Sequence, residues 1–216
     1  MIIKGVWLAM SSKIKKMRKD LLAKKNQREG MTFTSNEGCR FYIKEYNRYG
    51  DVTVKFLDEY GAEVHTSYYW CEHGQVKNPY FTSVYGTGCL GLMADGSKPV
   101  IKENGKLTRA YIVWRDMIRR CYSGEYPTYA NVTVCERWLV YANFLEDLPK
   151  IENYQWWLEN PNQRIALDKD IKQRGIIDKI YSLKTVKFVS DSENSEERWN
   201  KEIEEVKEDL VLGLIA

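Results

Sequence analysis

The clearest chemical signal in the sequence is a run of basic side chains near its amino terminus. Residues 1–30 carry nine lysines and arginines against Asp20 and Glu29, which gives this segment a net charge of +7. Four of the lysines lie close together: Lys13, Lys15, Lys16 and Lys19. An ammonium group that contacts a phosphate displaces a condensed counterion and adds affinity without reading the base sequence. The segment is therefore typical of a protein that binds the backbone of a nucleic acid.

The other end of the chain carries the opposite charge. Residues 191–216 hold nine acidic and three basic side chains, a net charge of −6. Their apolar residues recur at helical spacing, at Ile203, Val206, Leu210 and Leu214. A second interpretation therefore stays open, in which the basic segment packs against this acidic segment rather than against phosphates.

A further pair of cations, Arg119 and Arg120, ends a pattern that predicts a helix from Thr108 onward. The apolar positions of this pattern are Tyr111, Trp114, Met117 and Ile118. A helix with such a basic end can lie along a duplex backbone. Solvated arginines on the outside of an amphipathic helix would give the same pattern, so both interpretations stay open.

Groups that could act as a nucleophile or as a general base are few. The chain has two histidines, His65 and His73, both in its first half. Its five cysteines are widely spaced and form no C-x-x-C motif, which argues against a zinc cluster and a disulfide framework. We expect reduced thiols in an intracellular protein.

Length and composition are those of ordinary globular proteins. The 216 residues are 44% hydrophobic and 29% charged. No apolar segment is long enough for a membrane span or a secretory signal, so we expect neither.

The secondary structure that must position these groups changes along the chain. Residues 7–28 lack proline and glycine and predict a basic amphipathic helix, which Gly30 ends. Three short segments rich in Tyr, Val, Phe and Thr follow at 40–46, 51–57 and 62–69, with glycine-ended turns between them. They predict a β-meander, and a sheet this small is expected to close into an SH3-like barrel.

We therefore predict an α+β protein with three parts. A basic helix occupies residues 1–30, and a small antiparallel SH3-like β-barrel occupies residues 31–98. A helical module, a late pair of strands and an acidic carboxyl-terminal helix occupy residues 99–216.

Several motifs follow one another through the second half of the chain. They are Tyr111-x2-Trp114-x2-Met117-x-Arg119-Arg120-Cys121-Tyr122, Tyr129, Val132-Thr133-Val134-Cys135-Glu136-Arg137-Trp138, Asn143-Phe144, Leu167-Asp168-Lys169-Asp170-Ile171, Tyr181-Ser182, Phe188-Val189 and Asn194. Upstream come Lys77-Asn78-Pro79-Tyr80 and a glycine series at Gly86, Gly88 and Gly91. Together they resemble a family of phage and prophage proteins related to HNH endonucleases, some of which carry AP2-like DNA-binding modules. The resemblance covers residues 38–194 and is strongest over 111–144.

The resemblance implies an HNH-like ββα unit, a β-hairpin followed by a helix, that holds one divalent cation, Mg²⁺ or Mn²⁺. It assigns the metal to Asp168 and Asn194, and it places Lys169 at the catalytic position of the general base. Both metal and base are needed because the phosphodiester is anionic and its leaving group is poor. A protonated lysine cannot accept a proton from water, so this centre is degenerate. Asp170 and Asp178 could add oxygen ligands. In the alternative interpretation, Asp168, Lys169 and Asp170 form an ion pair and a hairpin cap at the end of a strand.

The basic segment predicts a protein that binds DNA, and the resemblance implies that it is phage-encoded and acts in the cytoplasm of a bacterial host. Its HNH-like endonuclease centre is expected to nick DNA weakly at most, and only with a metal ion. The alternative is a non-enzymatic inhibitor of a host defence nuclease or polymerase, comparable to anti-CRISPR proteins. In that case the acidic residues 191–216 would imitate the phosphates of DNA.

Overall fold

The computed structural model describes residues 2–196, 199, 203, 206 and 207. The chain divides into two compact units, Met1–Phe81 and Thr82–Ala216. The boundary predicted from the sequence lies later, at residue 98, because the glycine-rich segment belongs to the second unit. There Cys89 forms a parallel bridge with Val140, and the Tyr141 amide donates to the Cys89 carbonyl (2.9 Å).

The first unit combines the predicted basic helix with a small antiparallel sheet. Helix α1 spans Ile2–Arg28. The strands are β1 (Thr32–Thr34), β2 (Arg40–Arg48), β3 (Asp51–Phe56) and β4 (Glu63–Thr66), and a short helix, α2 (Tyr68–Glu72), follows them. Each strand is antiparallel to the next, in the order β1-β2-β3-β4. The prediction of an α+β protein with an amino-terminal helix and a small antiparallel sheet is thus confirmed.

This sheet is open. Along β3 the side chains of Val52, Val54 and Phe56 are buried and alternate with partly exposed ones, so one face of the sheet forms the core. Within the described chain β1 pairs only with β2, and β4 only with β3, so no strand pair closes a barrel. After β4 the chain forms α2 instead of another strand, and the buried Tyr68 packs edge-on against Tyr46. The SH3-like closure is therefore not confirmed.

The second unit contains several short helices and strand pairs. Its helices are α3 (Arg109–Tyr122), α4 (Glu136–Leu139), α5 (Tyr141–Asp147) and α6 (Tyr154–Glu159). Its strands are β5 (Lys102–Glu103), β6 (Lys106–Leu107), β7 (Val132–Val134), β8 (Ile165–Asp168), β9 (Lys179–Tyr181) and β10 (Lys187–Ser190). β5 pairs with β6 and β8 with β10, both antiparallel, whereas β7 and β9 are parallel.

A helix begins at residue 191, directly after β10, and continues through residue 196. Most of the predicted acidic carboxyl-terminal helix lies outside the described residues. None of the described helices is both long enough and apolar enough to cross a membrane.

Aromatic side chains form the core of the second unit. The fully buried Trp114 donates from its indole nitrogen to the Trp138 carbonyl (2.7 Å). Trp157 stacks on Phe188 with 4.9 Å between the ring centroids. A Cβ atom at Gly88 would lie 3.0 Å from the Trp114 ring, so the glycine allows the chain to pass directly over that ring.

A buried carboxylate connects α4 to the segment after α5. Asp147 accepts hydrogen bonds from Arg137 Nε (2.7 Å), Trp138 Nε1 (3.0 Å) and Lys150 Nζ (2.9 Å). Burial raises the pKa of Asp147, but these hydrogen bonds outweigh burial and hold its pKa at about 2, below the usual 3.8. The fold therefore favours the ionised carboxylate.

We expect Asp147→Asn to lower the free energy of unfolding at neutral pH by about 2 kcal/mol, the equivalent of the pKa shift. Because the folded-state pKa lies below the unfolded one, this contribution is present above the usual pKa of 3.8 and disappears as the pH falls towards 2. Urea unfolding at a series of pH values measures both effects.

The matched control is Glu146→Gln, since the exposed Glu146 also pairs with Arg137 (2.7 Å). A surface pair contributes less than about 1 kcal/mol, so the control is expected to change stability little. Equal losses in the two variants, or a loss at Asp147 that does not depend on pH, would contradict the role assigned to Asp147.

Candidate functional site

Four lysines of α1 form a surface that we call the outer face: Lys13, Lys15, Lys16 and Lys19. All four are exposed. A helix turns by about 100° per residue, so the last three share one side of α1 and Lys13 lies at its margin. In the part of the chain that the structure describes, none of the four forms an ion pair with a carboxylate. Their charges are therefore available to an anionic ligand.

The carboxyl end of α1 is fixed to the sheet of the first unit. Arg28 donates to the Tyr46 hydroxyl (2.6 Å), and its guanidinium carbon lies 3.7 Å from the centre of the Tyr68 ring. Glu29 accepts a hydrogen bond from the Tyr46 amide (2.9 Å). Gly30, with a φ of 82°, then turns the chain towards β1. Because Arg28 and Glu29 face the sheet, the outer face lies on the far side of the helix.

Arg119 and Arg120, the second predicted phosphate-binding pair, point in different directions. Arg119 lies at the surface and donates to Glu125 (2.6 Å). Arg120 is partly buried and donates to the Asp116 carbonyl (3.1 Å) and to the Tyr129 hydroxyl (3.4 Å). Both guanidinium groups thus have partners within the protein, unlike the lysines of the outer face.

Strands β8 and β10 and the helix that starts at residue 191 form two antiparallel strands followed by a helix. Asp168 ends β8 and pairs in register with Lys187 at the start of β10. Asn194, the second predicted metal ligand, lies in the helix. The intervening β9 pairs with β7 instead. Asp168 thus ends the first of two paired strands, and Asn194 lies in the helix that follows the second.

The Asp168 carboxylate caps the turn after β8. Its Oδ1 accepts hydrogen bonds from the amides of Asp170 (3.0 Å) and Ile171 (2.9 Å), and the residue is only 7% exposed. Burial raises the pKa of Asp168 and the Asp170 charge raises it further, while the two amides oppose this. The carboxylate thus has the structural role of a cap in a site that disfavours its charge.

Lys169 is buried and has an anionic partner. Its Nζ lies 2.8 Å from Asp170 Oδ2 and 4.4 Å from the centre of the Tyr129 ring. Lys179 donates to the other oxygen of Asp170. Burial raises the pKa of Asp170, but the hydrogen bonds from both lysines outweigh it and lower the pKa overall. Lys169 is therefore paired with a carboxylate of the neighbouring residue.

The donor set at this strand end does not suit Mg²⁺ or Mn²⁺. Side chains of paired strand residues project to the same face, so Asp168 shares a face with Lys187, whose Nζ lies 2.6 Å from Glu193 Oε1. One oxygen of Asp168 caps the turn, and both oxygens of Asp170 take ammonium groups. Among the described residues, no group of three or more His, Cys, Asp or Glu side chains could hold a metal ion. Asp178 is exposed and does not complete such a group of ligands.

Two residues that matter in this geometry, Lys187 and Tyr49, could not be identified from the sequence. Lys187 neighbours the core residue Phe188, and only its register with Asp168 gives it a role. Tyr49 lies in a predicted turn, yet it lies against the apolar side of α1. The helical spacing of the apolar residues of α1 was the available signal, but it did not identify what lies opposite them.

Comparison of the chain with protein-family models, with curated proteins and with solved structures finds no match. The function must therefore be inferred from the geometry of the chain's own residues.

We expect Asp168→Asn to leave the free energy of unfolding at neutral pH unchanged or to raise it by up to about 1 kcal/mol, whereas Asp168→Ala lowers it by about 1–2 kcal/mol. Asparagine keeps an oxygen for the two amides and removes a charge that the fold disfavours. Because the folded-state pKa is raised, any advantage of asparagine is present at neutral pH and disappears as the pH falls and Asp168 becomes protonated.

Urea unfolding at neutral and acidic pH measures these differences, and thermal unfolding with millimolar MgCl₂ or MnCl₂ tests the metal. We expect neither salt to stabilise the wild-type protein more than the Asp168→Asn variant. A metal-dependent rise in Tm that this substitution abolishes would show that Asp168 is a ligand.

Proposed function

We propose that the protein is a phage-encoded DNA-binding protein that acts in the bacterial cytoplasm, holds duplex DNA through the outer face of α1 and does not cut it. The observation that carries the proposal is the group of four exposed lysines without a carboxylate partner among the described residues. By contrast, Arg119 and Arg120 have partners within the protein and take no part in it.

The outer face binds by neutralising phosphates. From Lys13 to Lys19 the helix rises about 9 Å, a length over which one DNA strand carries about three phosphates. Each contact releases a condensed counterion, so the affinity depends steeply on salt. Contacts to the backbone carry no base information, and binding is therefore independent of the DNA sequence.

An HNH-related origin of the second unit is part of the proposal. The resemblance over residues 111–144 supports it, as does the succession of β8, β10 and a helix with Asp168 at the end of the first strand. Hydrolysis of a phosphodiester requires a metal or an equivalent Lewis acid and a group that accepts a proton from water. The ammonium groups of Lys169 and Lys187 supply neither, which favours binding without cleavage. The SH3-like interpretation of the amino-terminal sheet stays a prediction.

The alternative function is inhibition of a host nuclease or polymerase by imitation of DNA. That hypothesis depends on the acidic residues 191–216, most of which lie outside the described residues. The lysines of the outer face favour DNA itself as the partner, because they are positively charged, whereas the surface of a DNA mimic is negatively charged.

Replacement of all four lysines of the outer face by glutamine is expected to lower the affinity for duplex DNA at least about tenfold and to reduce the salt slope by about three, one unit for each phosphate within reach. Fluorescence anisotropy of a labelled duplex at several KCl concentrations measures both quantities.

The matched control replaces four exposed lysines elsewhere by glutamine, which changes the net charge equally. These control positions are Lys77, Lys98, Lys106 and Lys184. We expect the control variant to keep most of the wild-type salt slope. Equal losses in both variants, or wild-type binding that does not respond to salt, would refute the role of the outer face.

A further inference from the structure

A groove runs along the side of α1 opposite to Lys15, Lys16 and Lys19 of the outer face. It has a volume of about 510 Å³ and lies between α1 and the β2–β3 hairpin of the same unit. Its apolar lining comes from Ile14, Met17 and Leu21 of the helix and from Tyr46 and Tyr49 of the hairpin. The DNA-binding role proposed above makes no use of this surface.

The helical side of the groove is too exposed to enclose a small molecule. Ile14 and Leu21 are each 43% exposed and Met17 is 63% exposed, whereas small-ligand pockets bury most of their ligand. The three side chains recur at i, i+3 and i+7, the spacing with which one helix packs against another. Large apolar side chains exposed along one stripe mark an interaction surface.

The charges beside the apolar stripe indicate the sign of the partner's charge. Arg18 and Lys24 of α1 and Arg48 of the hairpin line the groove together with a single carboxylate, Asp20. Arg48 lies 3.9 Å from Asp51, at the limit of an ion pair. The lining thus has a net charge of +2, which favours an acidic ligand. A second copy of the chain that approached through its own basic segment would bring a charge of +7 against these cations, and repulsion between like charges opposes that pairing.

We infer that this groove binds an amphipathic helix with acidic flanks from a partner protein. Its apolar side chains pack against Ile14, Met17 and Leu21, and its carboxylates lie beside Arg18, Lys24 and Arg48. From Ile14 to Lys24 the groove side of α1 is about 15 Å long, enough for about three turns of the partner helix. Because the outer face lies on the other side of α1, the protein can hold DNA and this partner together.

The test uses the full chain and a labelled synthetic peptide of about 18 residues. Its leucines are spaced alternately by three and four residues, and its other positions are glutamate and alanine. Fluorescence anisotropy measures its binding. Leu21→Gln is expected to weaken the peptide at least about tenfold, since it removes one large apolar contact. Leu22→Gln is the matched control: Leu22 is 58% exposed but does not line the groove, so its variant keeps wild-type affinity.

Two control peptides test the chemistry of the ligand. A peptide of the same composition in scrambled order lacks the apolar stripe, and one with lysine in place of glutamate has the wrong charge. Both are expected to bind at least about tenfold more weakly than the acidic peptide. No detectable binding of the acidic peptide, equal binding of the lysine peptide, or equal effects of Leu21→Gln and Leu22→Gln would overturn the inference.

Analytical ultracentrifugation tests the remaining possibility, that a second copy of the chain occupies the groove. A wild-type dimer that Leu21→Gln dissociates would assign the groove to a second copy and would also overturn the inference. Leu21→Gln is neutral and is expected to leave the affinity for duplex DNA unchanged. A failure of the groove proposal is therefore distinguishable from a failure of DNA binding.

Discussion

The attachment of α1 to the sheet is the constraint on which both faces of this helix depend. Arg28 lies between the Tyr46 hydroxyl and the Tyr68 ring, and Glu29 accepts from the Tyr46 amide. These contacts fix the rotation of the helix about its axis. Since each residue turns a helix by about 100°, a shift of one position would move lysines of the outer face towards the sheet and apolar residues towards solvent. One anchoring cluster thus separates a cationic surface from an apolar one.

In the second unit, the residues that carry the family resemblance are mainly structural. Trp114, Trp138 and Phe144 are fully buried, and Arg137 serves as a partner of Asp147. Packing of this kind tolerates little change in volume, so the identity of these residues is constrained by the core that they form. A resemblance that rests on core residues is therefore informative about framework and weak evidence about chemistry.

The end of β8 is surrounded by charged side chains. Two strands and a helix bring Asp168 to one end of the unit, but the charges around it are balanced within the protein: Lys169 with Asp170, and Lys187 with Glu193. In each pair the lysine is mostly buried and the carboxylate is partly exposed, so removal of the carboxylate would leave the lysine's charge uncompensated. The lysines beside Asp168 therefore have their partners within the protein. The four lysines of the outer face have no such partners among the described residues, so their charge is free for an external anion.

Local features of the chain were predictable because they depend on neighbouring residues. The spacing of apolar residues and the position of Gly30 indicate α1, and the glycine-ended turns indicate the meander. Contacts between distant segments were not predictable in this way. Whether the sheet closes, whether Arg120 points inward and which residue lies opposite Asp168 all depend on strand register and on how side chains fill a shared core. A sequence pattern specifies which face of an element is apolar, but only packing in three dimensions determines what that face meets.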